Sequence, residues 1–294
     1  MTLPHPRYQG VWLPMVSPYK DGDLDEASVR RMVARYAGQV DGIILAATTG
    51  EGLALSRDEV RRLADWTAEE LEAAGKGAPV LIGLGGAVTA NVVEAVRAAE
   101  DLPADGLLIA CPYYVRPTQQ GLRLHFEAIA EATTRDILVY NIPYRTGVNM
   151  ANDTLLRLAE RPNIVGVKDC CADPGQSRDL IARKPDGFSV LCGEDAGFLF
   201  ALRQGADGGV VASAHLRPEM FRDIHRLARD ARWDEAGRLW AEVAAIPDLL
   251  FAEPSPSALK HALWRTGLID TPDLRLPMIP PSAELAGRVE AFLA

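Results

Sequence analysis

The residue whose type and position could do the most chemistry is a lysine at the end of an apolar run. Lys168 ends the run Ile164–Lys168, and a charged ammonium is costly to bury. Burial lowers the pKa of an amine, and a neutral amine can attack a ketone to form a Schiff base. A lysine that extends from the strand end into solvent, or that pairs with Asp169, is the structural alternative.

Three other groups follow neighbouring runs and suit carbonyl chemistry on an acidic substrate. Tyr140 could move protons through its hydroxyl, and the Thr48-Thr49 turn offers hydroxyls and free amides to a carboxylate. Arg145 carries a planar guanidinium that can bind a carboxylate with two hydrogen bonds. Each also has a structural reading, which is rim packing for the tyrosine, a capping turn for the threonines and a solvated charge for the arginine.

Eight short apolar runs predict the strands that position these groups. Each run is too short for a helix and rich in Val, Ile and Leu, as strands buried on both faces are. Helical patterns separate the runs, and this alternation favours parallel strands with right-handed crossovers. The predicted fold class is α/β, a (β/α)8 TIM barrel with its chemistry at the C-terminal ends of the strands. The runs are Gly10–Val16, Gly42–Ala47, Pro79–Gly83, Gly106–Ala110, Ile137–Asn141, Ile164–Lys168, Phe188–Cys192 and Gly209–Ala212.

Helix signals complete the predicted organisation. Ser56 and Glu59 form a capping box that opens a helix to about Ala74. After Leu216 the strand signals stop and only helical patterns follow, so a barrel over 1–216 and a C-terminal helical appendage over 217–294 are predicted. Further predicted helix caps are Thr89, Thr118 and Asn152.

Composition and charge exclude several classes of protein. The chain has 294 residues, a formal net charge of −9 and no basic run, so nucleic acid is not an expected partner. It holds no stretch of about 18 apolar residues, which predicts no membrane-spanning helix. Met1–Gly10 lacks the apolar segment of a signal peptide, so we expect a cytoplasmic protein with reduced, buried cysteines. The five histidines are scattered, and no metal site is predicted.

Four sequence strings together resemble one enzyme family, the dihydrodipicolinate synthase / N-acetylneuraminate lyase family of Schiff-base-forming class I aldolases. The resemblance extends from about Tyr8 to Met278 and implies a tetramer, a dimer of dimers, without metal or organic cofactor. The strings are Ala47-Thr48-Thr49-Gly50-Glu51, Cys111-Pro112-Tyr113-Tyr114 with Pro117-Thr118-Gln119, Tyr140-Asn141-Ile142-Pro143-Tyr144-Arg145-Thr146-Gly147, and Gly166-Val167-Lys168.

The resemblance implies four catalytic residues. Lys168 would form the imine with pyruvate, and Tyr140 would relay protons with Thr48 hydrogen-bonded to it. Tyr114 would complete the relay by reaching in from a neighbouring subunit.

Four further residues are implied to bind substrate. Thr49 would hold the pyruvate carboxylate together with its neighbour in the same turn, and Arg145 would bind the carboxylate of the second substrate. Backbone groups at Gly193 and Val210 would line the pyruvate pocket.

Within the family, the synthase branch is the most similar, because it shares the Tyr114 string, Arg145, Gly193-Glu194-Asp195 and the later Glu253-Pro254-Ser255-Pro256 with Lys260. The implied reaction condenses pyruvate with L-aspartate 4-semialdehyde to give 4-hydroxy-tetrahydrodipicolinate for lysine biosynthesis. A related aldolase or dehydratase for a 2-keto-3-deoxy sugar acid or another 2-oxo acid is the alternative. A non-catalytic binding protein with the same fold is a second alternative.

Two departures from the family pattern concern the pocket. Ala47 stands where the family usually has Gly, and its methyl group could crowd the site. Asp169-Cys170-Cys171 follows the lysine where the synthases usually have Glu and then small residues, which leaves the second substrate open.

A third departure concerns feedback by lysine. Regulated synthases bind lysine at the dimer interface through polar residues, and Ala87 and Asn91 stand here where an amide and a carboxylate are usual. Arg57 and Val60 replace histidines. Because no carboxylate would meet the lysine ammonium, we expect weak or absent feedback.

Overall fold

Eight parallel strands close into a barrel in which neighbours in sequence are neighbours in space, and the first strand pairs with the last. The computed structural model describes residues 8–171 and 173–294, so most of the Met1–Gly10 segment lies outside the described residues. Every predicted run overlaps a barrel strand, with bounds that differ by one or a few residues, and the predicted barrel is confirmed. The strands are β1 (Gly10–Pro14), β2 (Gly42–Leu45), β3 (Val80–Leu84), β4 (Gly106–Ala110), β5 (Asp136–Asn141), β6 (Ile164–Asp169), β7 (Ser189–Cys192) and β8 (Gly208–Val210).

The strands are buried on both faces because alternate side chains point into the barrel and outward against the helices. The inward group forms a separate apolar cluster that includes Ile44, Leu108, Tyr140, Leu191 and Val210. The outward group packs with the apolar stripes of the helices. This alternation fixes which residues at the strand ends face the barrel mouth.

Helices follow the strands in turn and cover the barrel. The predicted capping box at Ser56 and Glu59 is present, and Thr118 caps its helix as predicted. The barrel helices are α1 (Glu26–Tyr36), α2 (Arg57–Ala73), α3 (Thr89–Ala98), α4 (Gln119–Ala130), α5 (Pro143–Thr146), α6 (Asn152–Leu158), α7 (Pro174–Arg183), α8 (Phe198–Arg203) and α9 (Pro218–Arg229).

Two predicted caps are wrong by one residue. Thr89 and Asn152 are the first residues of α3 and α6 and do not cap them. The hydroxyl of Thr89 bonds His125 Nδ1 at 2.9 Å, and the Asn152 amide donates to the Gln176 carbonyl at 2.9 Å. These two side chains therefore bond to the neighbouring helix, although the sequence predicted that they cap their own helices.

Four helices follow α9 and complete the C-terminal part. Helix α9 itself packs on β1 and α8, in the place of the eighth barrel helix. The division into 1–216 and 217–294 stays a prediction. Among the described residues, no helix combines the length and the apolar character needed to cross a membrane. The remaining helices are α10 (Trp233–Val243), α11 (Ala245–Leu250), α12 (Ser257–Arg265) and α13 (Ala283–Leu293).

Candidate active site

A lysine and a tyrosine meet at the paired ends of two neighbouring strands. Tyr140 in β5 and Lys168 in β6 are partners in the strand register, and both face the barrel interior. Lys168 is only 5% exposed, and its Nζ lies 4.2 Å from the centroid of the Tyr140 ring. Asp169 faces the other way and accepts a hydrogen bond from the Ser177 hydroxyl at 2.6 Å. Both structural alternatives for Lys168, an exposed amine and a pair with Asp169, are therefore wrong.

The pKa values of this pair are coupled. Burial raises the pKa of Tyr140, while the charge of Lys168 and hydrogen bonds from Thr48 and Lys168 oppose the rise. Burial also lowers the pKa of Lys168, but attraction to Tyr140 and Cys170 outweighs it, so the lysine pKa is raised. The sequence-based expectation of a lowered pKa is wrong because it considered burial alone. The amine must therefore pass a proton to a neighbour before it can attack.

The turn after β2 brings Thr48 and Thr49 to the same mouth. Thr49 is buried, whereas Thr48 is exposed and lines a cavity of about 800 Å³ that Tyr140 also borders. The backbone N–H of Gly52 donates to the carbonyl of Ala47 at 3.1 Å and closes the turn. A Cβ at position 52 would lie 1.7 Å from the carbonyl oxygen of Ala46, so glycine is required there.

Ala47 lines the same cavity as Thr48 and Tyr140, so crowding of the site by its methyl group stays a prediction. It is buried in the inward cluster with Tyr140. The strand beside it carries Gly83, and a Cβ at that glycine would lie 2.7 Å from the Ala47 Cα. Glycine in β3 therefore lets the backbone of the turn after β2 approach this strand closely.

Gly193 and Cys170 border the lysine side chain. A Cβ at Gly193 would lie 2.9 Å from the Lys168 Cε and 2.2 Å from the Cys170 Sγ. Val210, at the end of β8, belongs with Cys170 and Tyr140 to the inward cluster. The backbone at position 193 therefore lies next to Lys168, and the roles of Gly193 and Val210 in binding pyruvate stay predictions.

All four cysteines are free thiols. Cys111 and Cys170 are buried as expected, but Cys171 and Cys192 are only partly buried. Burial raises the pKa of Cys170 well above its ordinary value, and the charge of Lys168 opposes this rise.

Asp195, part of the Gly193-Glu194-Asp195 string, is an acidic neighbour of the lysine to which the sequence assigned no role. Asp195 is buried and accepts hydrogen bonds from the backbone N–H groups of Ala212 at 3.2 Å and Ser213 at 2.5 Å. Burial raises its pKa, and these bonds and the charge of Lys168 oppose the rise. The sequence signal that could have identified Asp195 is its position two residues after Gly193, past the end of β7.

Arg145 lines both the cavity beside Thr48 and a second cavity. The short helix α5 presents Arg145 and Tyr144, and both line a cavity of about 570 Å³. The Tyr144 hydroxyl donates to Glu194 Oε1 at 3.0 Å. Asp248 and Glu253 from the C-terminal part line the same cavity. A guanidinium among carboxylates suits a ligand that carries both a carboxylate and an ammonium group.

Tyr114 does not join the other candidates within one chain. Its side chain is 91% exposed, and its backbone N–H donates to the Thr146 carbonyl at 3.1 Å. The structure therefore brings together Lys168, Tyr140, Thr48 and Gly193, and leaves Tyr114 facing outward. Its predicted role in a neighbouring subunit stays a prediction.

Two of the residues considered for lysine feedback, Arg57 and Asn91, lie on the surface of the chain. Arg57 pairs with Glu94 at 2.7 Å on the surface, and Asn91 is exposed. Weak or absent feedback by lysine stays a prediction. Among residues 8–171 and 173–294, no group of three or more His, Cys, Asp or Glu side chains could hold a metal ion.

Comparison with known sequences places this barrel in a family. The sequence model of the Dihydrodipicolinate synthetase family matches residues 7–294. The chain belongs to this family. As a dihydrodipicolinate synthetase family member it is an enzyme of the lyase class, and the sequence resemblance is confirmed.

Named relatives of this dihydrodipicolinate synthetase family chain span nearly its whole length. 4-hydroxy-tetrahydrodipicolinate synthase 2 of Clostridium acetobutylicum is 41% identical over 288 residues, which are 98% of this chain and 100% of that protein. 4-hydroxy-tetrahydrodipicolinate synthase of Rhodopseudomonas palustris is 39% identical over 282 residues, which are 95% of this chain and 93% of that protein.

Solved structures of the family agree with the barrel described above. The chloride-inhibited dihydrodipicolinate synthase from Acinetobacter baumannii, complexed with pyruvate, is 35% identical and has a TM-score of 0.92 over 97% of each chain. The 4-hydroxy-tetrahydrodipicolinate synthase from Methylacidiphilum fumariolicum SolV is also 35% identical with a TM-score of 0.92, over 98% of this chain and 95% of that one.

Proposed function

We propose that this chain is a 4-hydroxy-tetrahydrodipicolinate synthase that condenses pyruvate with L-aspartate 4-semialdehyde. The observation that carries the proposal is the buried Lys168 amine against the Tyr140 ring, at the register-paired ends of β5 and β6. The names of relatives at 36–41% identity support the same activity.

The chemistry begins at the Lys168 amine. After losing a proton, the nitrogen attacks C2 of pyruvate, and loss of water leaves an iminium ion. Loss of a proton from C3 gives an enamine, whose C3 then forms a bond to the aldehyde carbon of the semialdehyde. The aldehyde oxygen takes up a proton. The amino group of the second substrate finally displaces the lysine nitrogen, which closes the ring and restores the enzyme.

Tyr140 is the proposed proton carrier of these steps. Its hydroxyl lies beside the amine, and the raised pKa of Lys168 makes proton removal the first requirement. Thr48 bonds to this hydroxyl and would hand the proton on. Tyr114 of a neighbouring subunit would complete the relay.

Two cavities that share Arg145 would take the two substrates. The Thr48–Thr49 turn and the backbone at Gly193 and Val210 would hold pyruvate next to the lysine. Arg145 would bind the carboxylate of the second substrate, with acidic residues nearby for its ammonium group. This mixture of charges favours an amino acid aldehyde over a 2-keto-3-deoxy sugar acid, which has no ammonium group.

We also propose a cytoplasmic homotetramer, a dimer of dimers, acting in lysine biosynthesis. The support is an exposed set of apolar side chains near the barrel mouth, Leu53, Tyr114, Val115 and Leu276, which a second copy would cover. One solved relative is described as a monomeric dihydrodipicolinate synthase variant, so the state must be measured. Sedimentation analysis of the purified protein gives that measurement.

Borohydride trapping tests the proposed function. Reduction in the presence of pyruvate should add the mass of a reduced pyruvate imine to the peptide that holds Lys168, and the Lys168→Met variant should stay unlabelled. Turnover should then be measured with aspartate semialdehyde and with a panel of 2-keto-3-deoxy sugar acids. A missing adduct would overturn the imine mechanism, and turnover of a sugar acid alone would replace the second substrate.

A further inference from the structure

A buried ion pair joins the C-terminal part of the chain to the turn after β2. Lys260 in α12 has a side chain that is 0% exposed, and its ammonium pairs with Glu51, whose side chain is 3% exposed. The same ammonium donates to the carbonyl oxygen of Asp273 at 2.8 Å. Glu51 directly follows the Thr48–Gly50 segment, so this contact reaches the proposed carboxylate-binding turn.

The turn needs external support because its backbone is strained. Glu51 has φ +52°, in the left-handed region that disfavours residues with a Cβ atom. Its backbone N–H donates to the Thr48 carbonyl at 3.1 Å, and its carboxylate accepts the Arg275 backbone N–H at 3.1 Å. The C-terminal part therefore holds the strained residue through both Lys260 and Arg275.

A second layer fixes the two cations. Lys260 Nζ and Arg275 Cζ lie 4.1 and 4.3 Å from the centroid of the Tyr19 ring, respectively. Arg275 also pairs with Glu59 at 2.5 Å and donates to the Ala54 carbonyl at 2.9 Å. Cations over an aromatic ring are held more strongly when they are removed from water. The cluster thus ties the C-terminal part to the start of α2 as well.

We propose that Lys260 is a positioning residue for pyruvate binding. Through its ion pair with Glu51 it holds the Thr48–Thr49 turn in the conformation that binds the pyruvate carboxylate. The proposal rests on the proposed function, because it uses the assignment of that turn to pyruvate. A buried ion pair stabilises a fold no better than apolar side chains of similar volume. Stability alone therefore gives no reason for a charged lysine here, whereas holding a strained turn does.

Three variants test this role. Lys260→Met removes the cation, and the double variant E51Q/K260M removes both charges while Gln keeps an acceptor for the Arg275 N–H. Lys184→Met is the matched control, because Lys184 pairs with Asp207 at 2.5 Å before β8, at the opposite end of the barrel. We expect the KM for pyruvate to rise about tenfold in the first two variants with kcat changed less than about threefold. The control should keep the wild-type KM.

The outcomes separate this inference from the function on which it rests. A folded E51Q/K260M protein, checked by circular dichroism, with a KM for pyruvate within about twofold of wild type would overturn the positioning role. An equal rise in KM in Lys184→Met would overturn it too, since the effect would then be general. If wild-type protein traps pyruvate on Lys168 in either case, the proposed function stands. If no pyruvate adduct forms on the wild-type protein, both the positioning role of Lys260 and the proposed function are overturned.

Discussion

At the scale of single residues, the pKa values of Lys168, Tyr140 and Cys170 depend on one another. Lys168 therefore needs a proton acceptor before its amine can act as a nucleophile. Lys168 has a raised pKa because Tyr140 and Cys170 surround it, and burial raises the pKa of both neighbours. The proton that leaves the amine must therefore go to a defined acceptor close by. Tyr140 has the position for this, with its ring 4.2 Å from the amine.

The hydroxyl of Tyr140 should matter far more than its ring. In Tyr140→Phe the packing is kept and the proton carrier is lost, so we expect kcat to fall by about 10²–10³-fold. Steady-state assays with pyruvate and the semialdehyde measure this. Tyr144→Phe loses a hydroxyl bonded to Glu194 in the cavity proposed for the second substrate, so it should change the KM for the semialdehyde and lose much less kcat. A loss below about tenfold in Tyr140→Phe would contradict a proton-carrying role.

At the scale of elements, the strands were predictable and the long-range contacts were not. Strands buried on both faces show as continuous apolar runs, and the positions of Tyr140 and Lys168 in two of these runs placed them at neighbouring strand ends, where the register pairs them. The contact of Glu51 with Lys260 joins residues that no local pattern connects. The outward direction of Tyr114 depends on the path of a loop, which spacing does not determine.

The ion pair between Lys260 and Glu51 should depend on pH, because the pKa of Lys260 lies near neutrality. Burial lowers the pKa of Lys260 to about 8, although Glu51 and Asp273 raise it and Arg275 lowers it further. The facing Tyr19 has a pKa raised by burial and stays neutral. Below pH 8 the ammonium pairs with Glu51, and above it the neutral amine resembles the methionine of Lys260→Met.

We therefore expect the ratio of the KM for pyruvate in Lys260→Met to that in wild type to be largest near about pH 7 and to approach one above about pH 9. Taking the ratio cancels the titration of Lys168 and Tyr140, which both proteins share. Initial rates at varied pyruvate across this range measure it. A ratio that stays constant with pH would show that the charge of Lys260 has no part in binding.

At the scale of the whole molecule, an acidic chain must attract anionic substrates locally. The net charge is −9, and the proposed substrates carry carboxylates, so Arg145 and the Thr48–Thr49 turn must provide the attraction. The C-terminal part contributes to both ends of the site, through Asp248 and Glu253 in one cavity and through Arg275 in the other. One proposed residue still lies outside, because Tyr114 faces solvent.

Mixed oligomers test whether Tyr114 enters the active site of its own chain or that of the neighbouring subunit. Lys168→Met and Tyr114→Phe subunits should each be poorly active alone. If Tyr114 enters the neighbouring subunit's site, a mixed dimer has one site with both an intact Lys168 and an intact Tyr114. A random mixture should then regain about one quarter of wild-type activity.

The control mixture pairs Lys168→Met with Tyr140→Phe. Both residues belong to the same chain's site, so every site in that mixture lacks one of them and no activity should return. If Tyr114 acted within its own chain, the first mixture would show only the average of its two parents. Activity is measured at a protein concentration where sedimentation shows subunit exchange to be complete, which makes a lack of recovery a direct contradiction of the shared site.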